Sequence, residues 1–413
     1  MTDSEPKILK VELRELQTLL RKKFSDELEV IEHHIEPLLP PGENYGSTML
    51  KVDAVVKKNA QANREHLHLV AKMLPATEFQ RKMFDSPYTF KKEAFLYQEL
   101  IPSYQHLERE YDVKNSGIFD IVPELYGVRY SLKSNEDFDD DAVILMQNLK
   151  VLGYYTANRK EGLDLEHANV AILALARFHA LGIAMRQHKP DQFEIIKKRS
   201  KCLDIEQDDS FEKVQQFYIK LMRKDPKISV HFERLNAAMT QETVTTWTAP
   251  PPEEWSTIVH SDFWVNNFMF RKDPNTGHVT DIKFVDFQNY LNLSPLRELT
   301  FFLMVSLDAS TMENHFDNLL NFYYESFISV LKRLECNIQS FSKDKFDERM
   351  KIDAFHEFPH CPFMLRILSA DVKNDLSSDQ IENMMLGEQF TPLFIERLRR
   401  CVKKYAEKGW LGD

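Results

Sequence analysis

Glycine and cysteine are the scarce residues in this 413-residue chain. Its 11 glycines argue against a glycine-rich repeat and against the Gly-x-Gly-x-x-Gly turn of a dinucleotide-binding strand–helix unit. The four cysteines, Cys202, Cys336, Cys361 and Cys401, lie far apart with no C-x-x-C pair. That spacing disfavours a structural zinc site or a disulfide framework and fits a reducing cytosol. No unbroken run of about 18 apolar residues is evident, and the N-terminal MTDSEPKILKVELRELQ is polar rather than shaped like a secretory signal. A soluble, cytoplasmic protein with no membrane partner is the expectation. Positive charge is also in deficit: 53 Lys and Arg stand against 64 Asp and Glu, a formal net charge of −11. Such a field disfavours nucleic acid as a partner, so a bound polyphosphate would need a local cluster of Lys, backbone N–H groups and metal. What is plentiful is apolar surface, with 43% hydrophobic residues and 29 Phe. That is enough for a large core, and the length suits two lobes or domains.

Periodicity organises the chain further. Residues 8–35 carry leucine and charge at helical spacing, which predicts one or two leading amphipathic helices. The turn-rich LPPGENYGS (39–47) precedes expected strands at 49–56 and 66–74. FKKEAFLYQELI (90–101) sets Phe90, Ala94, Tyr97 and Ile101 on one helical face. Two more strands, 121–130 and 142–149, flank the acidic SLKSNEDFDDD. From Leu163 the pattern is helical. ANVAILALARFHALGIAMRQ (168–187) is apolar around most of its circumference, as a domain's central helix would be. Helices follow at 211–224 and 228–240, then the proline-rich TVTTWTAPPPE, then strands at 256–260, 267–270 and 279–286. Beyond Ser294 everything reads as helix, ending in an amphipathic one at 389–408. The expected fold class is α+β: a small β-rich lobe, 1–148, and a larger, mainly helical lobe, 149–413, joined near Asn148–Leu152.

The segment HSDFWVNNFMF (260–270) breaks an apolar run with His260, Asp262 and Asn267. Polar groups in such a run need a protein partner or a ligand. A hairpin turn, KDPNTGHVTD, leads on to FVDFQ and Asp286. The amide oxygen of Asn267 and the carboxylate of Asp286 are hard ligands suited to Mg2+. Asp262 nearby could accept a proton from a hydroxyl, which together is what phosphoryl transfer requires. Asn266 is the neighbour most easily confused with Asn267, since alternation lets only one of them face a metal. A cation from elsewhere is needed, and Lys72 is the candidate. Its strand sets Val70 and Lys72 on one face and Leu69, Ala71 and Met73 on the other. A carboxylate of the next helix would hold it, Glu93 or else Glu99. Gly42 and Gly46 flank Asn44 and Tyr45, where a β-turn could press backbone N–H groups onto phosphate, with the Ser47 hydroxyl beside it. Other residues read as structural. His260 would donate to a backbone carbonyl, His179 would be a satisfied core histidine, and Trp264 and the Phe355, Phe358, Pro359, Phe363 cluster would pack.

Taken in order, GENYGS (42–47), VAK (70–72), FKKEAFLYQELIP (90–102), LARFHALGIA (175–184), HSDFWVNNFMF (260–270) and KFVDFQ (283–288) resemble a known family. It is the insect ecdysteroid kinase-like proteins, in the choline kinase-like branch of the protein kinase-like superfamily. The resemblance implies a two-lobed protein kinase-like fold with a small antiparallel β lobe, in a monomer. It implies ATP and Mg2+ as cofactors and transfer of a phosphate to a small-molecule hydroxyl, that of a steroid or a xenobiotic. Asp262 would be the catalytic carboxylate. Asn267, which the family's spacing selects over Asn266, and Asp286 would ligate Mg2+. Lys72 would bridge the α- and β-phosphates with Glu93 as its partner. AVILMQNL (142–149) would be the strand into a hinge where the backbones of Gln147 and Leu149 meet adenine and Met146 lines the pocket. Three departures stand out: Gln147-Asn148 for the family's usual Glu-Asp, Ser261 for a glycine, and Glu298 for an anchoring Asp. The altered hinge leaves open a catalytically weak ligand-binding protein, and a choline or amino-alcohol kinase is the alternative enzyme. A metal-dependent hydrolase built on His260 and Asp262 is disfavoured by the lack of a second histidine cluster.

Overall fold

The computed structural model describes residues 11–38, 46–111, 117, 119–134, 137–202, 209–241, 249–370 and 390–412. The chain divides into two compact units, each discontinuous. One comprises Met1–Pro102, Asp120–Tyr155 and Lys283–Gln288; the other comprises Ser103–Phe119, Thr156–Ile282 and Asn289–Asp413. The contiguous spans 1–148 and 149–413 expected from the sequence differ from these units, most consequentially at 283–288. That short segment carries Asp286 and belongs with the first unit.

The first unit is built on an antiparallel sheet. Helix α1 (Leu16–Arg21) leads to strands β1 (Glu29–Pro37), β2 (Thr48–Lys57) and β3 (Glu65–Met73). Helices α2 (Glu78–Met83) and α3 (Ser86–Phe95) follow, and after one π-helical turn, Leu96–Leu100, the chain continues as α4 (Ile101–Tyr111). Strands β4 (Leu125–Arg129) and β5 (Val143–Gln147) complete the sheet in the order β1-β2-β3-β5-β4. The wide π turn precedes Pro102, which has no N–H for residue 98 and whose ring would meet that carbonyl in a regular helix.

Two expectations fail here. Most of 8–35 is not helix, because only Leu16–Arg21 is helical among the described residues and Glu29–Pro37 is strand. Leucine and charge at helical spacing are outweighed there by β-branched Val30, Ile31 and Ile35 and by backbone pairing along β2, from Glu29↔Lys57 to Pro37↔Leu50. Strand β4 is also shorter than 121–130, since Pro123 offers no ladder donor.

Alternation elsewhere is faithful. Val52, Ala54, Leu69, Ala71, Val143 and Leu145 share one sheet face with the α1 leucines Leu16, Leu19 and Leu20, and this is the unit's core. Gly127 permits the contact, since a Cβ there would lie 2.8 Å from Leu19 Cδ1. The opposite face carries Val70, Lys72, Ile144 and Met146, in the register Lys72↔Ile144 and Val70↔Met146.

The second unit is mainly helical. It takes in α4 from Ser103 on, then α5 (Leu165–His188), α6 (Pro190–Arg199), α7 (Asp209–Lys224) and α8 (Phe232–Gln241). By length and composition α5 is apolar enough to cross a membrane, contrary to expectation, but 72% of its most apolar 18 residues are buried within the protein. It is the core helix of its unit. Short strands β6 (Thr257–Val259), β7 (Phe268–Lys272), β8 (Val279–Phe284) and β9 (Leu291–Leu293) come next, β6 pairing with β9 and β7 with β8. The chain then runs through α9 (Pro295–Val305), α10 (Ala309–Asn314), α11 (Phe316–Arg333), α12 (Lys343–Glu357), α13 (His360–Ser369) and α14 (Pro392–Lys408). Phe263, Phe268 and Phe302 pack with ring centroids 4.9–6.1 Å apart beneath the 260–270 segment. Phe358 is buried against Tyr405, so it packs, as the sequence suggests. The fold class is α+β, an antiparallel five-stranded sheet in one unit and a helical body in the other.

Candidate active site

Lys72 stands near the end of β3 on the face away from the α1 core, and its side chain is almost wholly buried. Nζ donates to Glu93 Oε2 at 2.5 Å and to Asp286 Oδ1 at 2.7 Å. Lys72 is 5% exposed and Glu93, on α3, only 1%. Glu99, the alternative partner, is exposed. Burial acts against the ammonium, but Asp286 and Glu93 together outweigh it and hold its pKa above the ordinary lysine value. Burial also raises Glu93 above the usual carboxylate range; Lys72 opposes this and Asp286 adds to it. The Tyr97 hydroxyl is pushed up by burial and by both carboxylates. One cation among two carboxylates leaves the cluster a net negative charge, which a further cation would neutralise. Asp286 has φ 64°, in the left-handed region. That conformation costs a non-glycine residue roughly 1–2 kcal/mol and recurs where backbone strain serves a site.

The same unit brings Gly46 and Ser47 to this cluster. Gly46, Ser47, Lys72, Ser86, Glu93 and Gln288 all line one small cavity. Gly46 lies directly on Gln288, since a Cβ there would be 3.2 Å from its Nε2. Gly42 falls outside the described residues. Gln288 and Ser86 have no role in the sequence reading. Gln288 is signalled only by its place two residues after Asp286, and Ser86 by nothing local.

At the hinge, Met146 sits opposite Val70 on the Lys72 face. The N–H groups of Gln147 and Asn148 donate to Glu124 O at 2.9 Å and His68 O at 3.0 Å. Asn148 Oδ1 caps the turn Leu149–Leu152 by accepting from Lys150 N at 3.1 Å. An amide oxygen caps as well as a carboxylate does, so Asn148 in place of Asp leaves this local geometry intact.

In the second unit, β6 runs straight into His260, Ser261 and Asp262. Ser261 takes φ 67°, the left-handed conformation that a glycine adopts without strain. The turn is held from α9: Glu298 accepts from the His260 N–H at 3.0 Å and from the Ser261 N–H at 2.5 Å. The His260 ring is buried, tilted against Phe263. Asn267 Nδ2 donates to Asp262 O at 2.8 Å and to Asp262 Oδ2 at 2.7 Å. Those bonds orient the amide and turn its Oδ1, the atom suited to a hard cation, the other way. Asn266 is exposed, so Asn267 is the residue tied to Asp262. His179 is a satisfied core histidine, bonded to Glu298 and Tyr323.

The profile of the ecdysteroid kinase-like family matches residues 41–336. The chain belongs to that family. It has a sheet unit and a helical unit, and membership supports a small-molecule phosphotransferase. Among solved structures this ecdysteroid kinase-like protein is similar to a Plasmodium vivax ethanolamine kinase, with 11% identity over 93% of this chain and 85% of the other, and TM-score 0.37. It is similar to a Cryptosporidium parvum choline kinase, with 10% identity over 94% and 95%, and TM-score 0.43. It is also similar to a spectinomycin phosphotransferase solved with ADP and spectinomycin, with 12% identity over 90% and 94%, and TM-score 0.38. Likenesses this loose carry nothing about substrate. No curated protein matches the chain.

The donor set of this kinase-like protein suits Mg2+ rather than a softer ion. Among the described residues no three His, Cys, Asp or Glu side chains converge to hold a metal. Mg2+ does not need such a cage, since it keeps several waters and is bound through one or two carboxylates together with phosphate oxygens.

Proposed function

We propose that this protein is an ATP- and Mg2+-dependent kinase that transfers the γ-phosphate to a hydroxyl of an apolar alcohol, an ecdysteroid-like steroid or a hydroxylated xenobiotic. It would act as a cytoplasmic monomer. The observation that carries the reading is the buried ammonium of Lys72 between Glu93 and Asp286 in a chain of this family.

Each residue has a task. Met146 lines the adenine pocket. Gln147 offers its carbonyl; its own N–H and that of Asn148 are already donated within the sheet, so the donor to the base is the N–H of Leu149. Gly42, Gly46 and Ser47 cover the phosphates. Lys72, kept straight by Glu93, donates to the α- and β-phosphate oxygens. Bound Mg2+, held by Asp286 and Asn267, would neutralise the phosphate charge. Asp262 takes the proton of the acceptor hydroxyl as that oxygen bonds to the γ-phosphorus, the β–γ bridging P–O bond breaks, and ADP leaves with the electron pair.

The test incubates the protein with Mg·ATP and a panel of steroid, phenol, glycoside and choline-type alcohols. A product heavier by about 80 Da, one transferred phosphoryl group, is expected for an apolar alcohol. Asp262→Asn should lower transfer by about 10²- to 10⁴-fold and leave Mg·ATP affinity within a few-fold. Full turnover in that variant removes Asp262 as the base. No Mg·ATP binding by calorimetry would point instead to a ligand-binding protein without turnover.

A further inference from the structure

We propose that His179 and Tyr323 are positioning residues for the loop carrying Asp262, acting through Glu298. The catalytic meaning of this rests on the function proposed above; the geometry does not.

Three donors converge on one buried carboxylate. Glu298 Oε1 accepts the Ser261 N–H at 2.5 Å, while Oε2 accepts the His260 N–H at 3.0 Å and faces His179 Nε2 at 2.7 Å. The two backbone donors alone would leave the carboxylate able to rock about its terminal torsion, which is a soft one. The imidazole removes that freedom. With its proton on Nε2, pointing at an acceptor-only carboxylate, Nδ1 becomes the acceptor. Tyr323 Oη lies 2.7 Å from Nδ1 and supplies the matching hydrogen. The hydroxyl remains a donor because burial, with Glu298 adding, pushes its pKa up. The Tyr323 ring is itself locked, stacked on Phe327 and tilted against Phe346. The bonds therefore run in one direction, from the Tyr323 hydroxyl through His179 to Glu298, and Glu298 grips the two amides just before Asp262.

A second observation ties the same turn of α5 to the same loop. Thr257 Oγ1, on β6 three residues before His260, donates to the carbonyl oxygen of His179 at 2.8 Å. Gly182 allows the helix this close, because a Cβ there would lie 2.0 Å from Thr257 Oγ1. Helix α5 thus holds the strand by its backbone and the following turn by a side chain. Between those two points the chain has little freedom, and Ser261 is kept in its left-handed conformation. Without the ring, Glu298 loosens, the turn relaxes, and the Asp262 carboxylate shifts from its place beside Asn267.

The experiment reads the loop directly and does not depend on catalysis. Hydrogen exchange measured by mass spectrometry on the peptide covering 259–264 should quicken about tenfold or more in His179→Leu, as loss of a hydrogen bond to a charged group implies. Exchange in the β2–β3 hairpin should stay unchanged. Tyr323→Phe, which removes only the hydroxyl, should quicken the same peptide about threefold, and His179→Gln, which keeps a donor toward Glu298, should restore most of the protection. The Tyr323→Phe effect should vanish in a His179→Leu background, because the hydroxyl acts only through the ring. With an accepted alcohol, kcat should fall in parallel while Mg·ATP affinity holds within twofold. Unchanged exchange at 259–264 in folded His179→Leu, or full additivity of the two substitutions, overturns the proposal. If His179→Leu does not fold, unchanged exchange in Tyr323→Phe overturns it. Faster exchange in a protein that phosphorylates nothing upholds the positioning and refutes only the function.

Discussion

Lys72→Met keeps the side chain's length and removes its charge, and the cost can be worked from the cluster's surroundings. Glu93 is fully enclosed, while the Asp286 side chain is 34% exposed and keeps some water. Removing one partner of a buried ion pair costs about 3–5 kcal/mol, chiefly because the remaining charge is stranded. The penalty must also depend on pH. Burial, with Asp286, already holds Glu93 above its ordinary 4.5, and Lys72 is the chief opposing influence. Without Lys72 the folded-state pKa of Glu93 rises further, so the native protein binds a proton that the unfolded chain releases. The penalty is therefore absent below the unfolded glutamate pKa, grows as pH climbs toward the raised folded value, and is complete above it. In the unsubstituted protein the raised Lys72 contributes fully below the ordinary lysine value of 10.5 and is lost only as pH rises through its folded pKa, so Lys72 itself adds no pH dependence between pH 5 and pH 8. The already raised Glu93 makes the unsubstituted protein somewhat less stable at pH 8 than at pH 5, and Lys72→Met widens that difference. The assay is urea unfolding by circular dichroism at both pH values. Among the described residues the tryptophans Trp255, Trp264 and Trp410 lie outside the first unit, so circular dichroism reads the event more directly than tryptophan fluorescence. At a slope of about 3 kcal/mol per molar, the midpoint of Lys72→Met should fall by about 1 M at pH 8 and by clearly less at pH 5. An equal drop at both, or none, refutes the account of Glu93.

Asp286→Ala should weaken Mg·ATP binding about tenfold or more by calorimetry, in line with the loss of a ligand from a metal held by few carboxylates; normal binding would show that the metal assignment is wrong. Gly182→Ala should lower stability by at least about 1–3 kcal/mol through overpacking, because its Cβ meets Thr257 Oγ1 at 2.0 Å and Tyr104 Oη at 2.8 Å. Adding Thr257→Ala should recover part of that loss in a thermal melt, and no recovery would mean the close approach lies elsewhere.

Much of the site can be read without coordinates because it depends on neighbours in sequence. Alternation in HLHLVAKML places Lys72 on the face opposite Leu69 and Ala71, and β3 has that arrangement. Helical spacing in FKKEAFLYQELI separates buried Glu93 from exposed Glu99. The turn before Asp262 and the five-residue offset to Asn267 are local too, and they join in two hydrogen bonds. The leading segment misleads because EVIEHHIEP fits both periods, and only the open edge of β2 decides between them.

By itself the sequence determined most of the elements, their buried faces and the polar residues that interrupt those faces, because each follows from spacing within a turn of helix or a pair of strand residues. Only the tertiary structure decided which of those residues meet. Asp286 reaches Lys72 across 214 positions, and His179 reaches Glu298 across 119. Such contacts are set by how close α5 can come to β6 and by which segment closes the sheet unit. Both depend on packing between distant parts of the chain, and local periodicity carries no information about it.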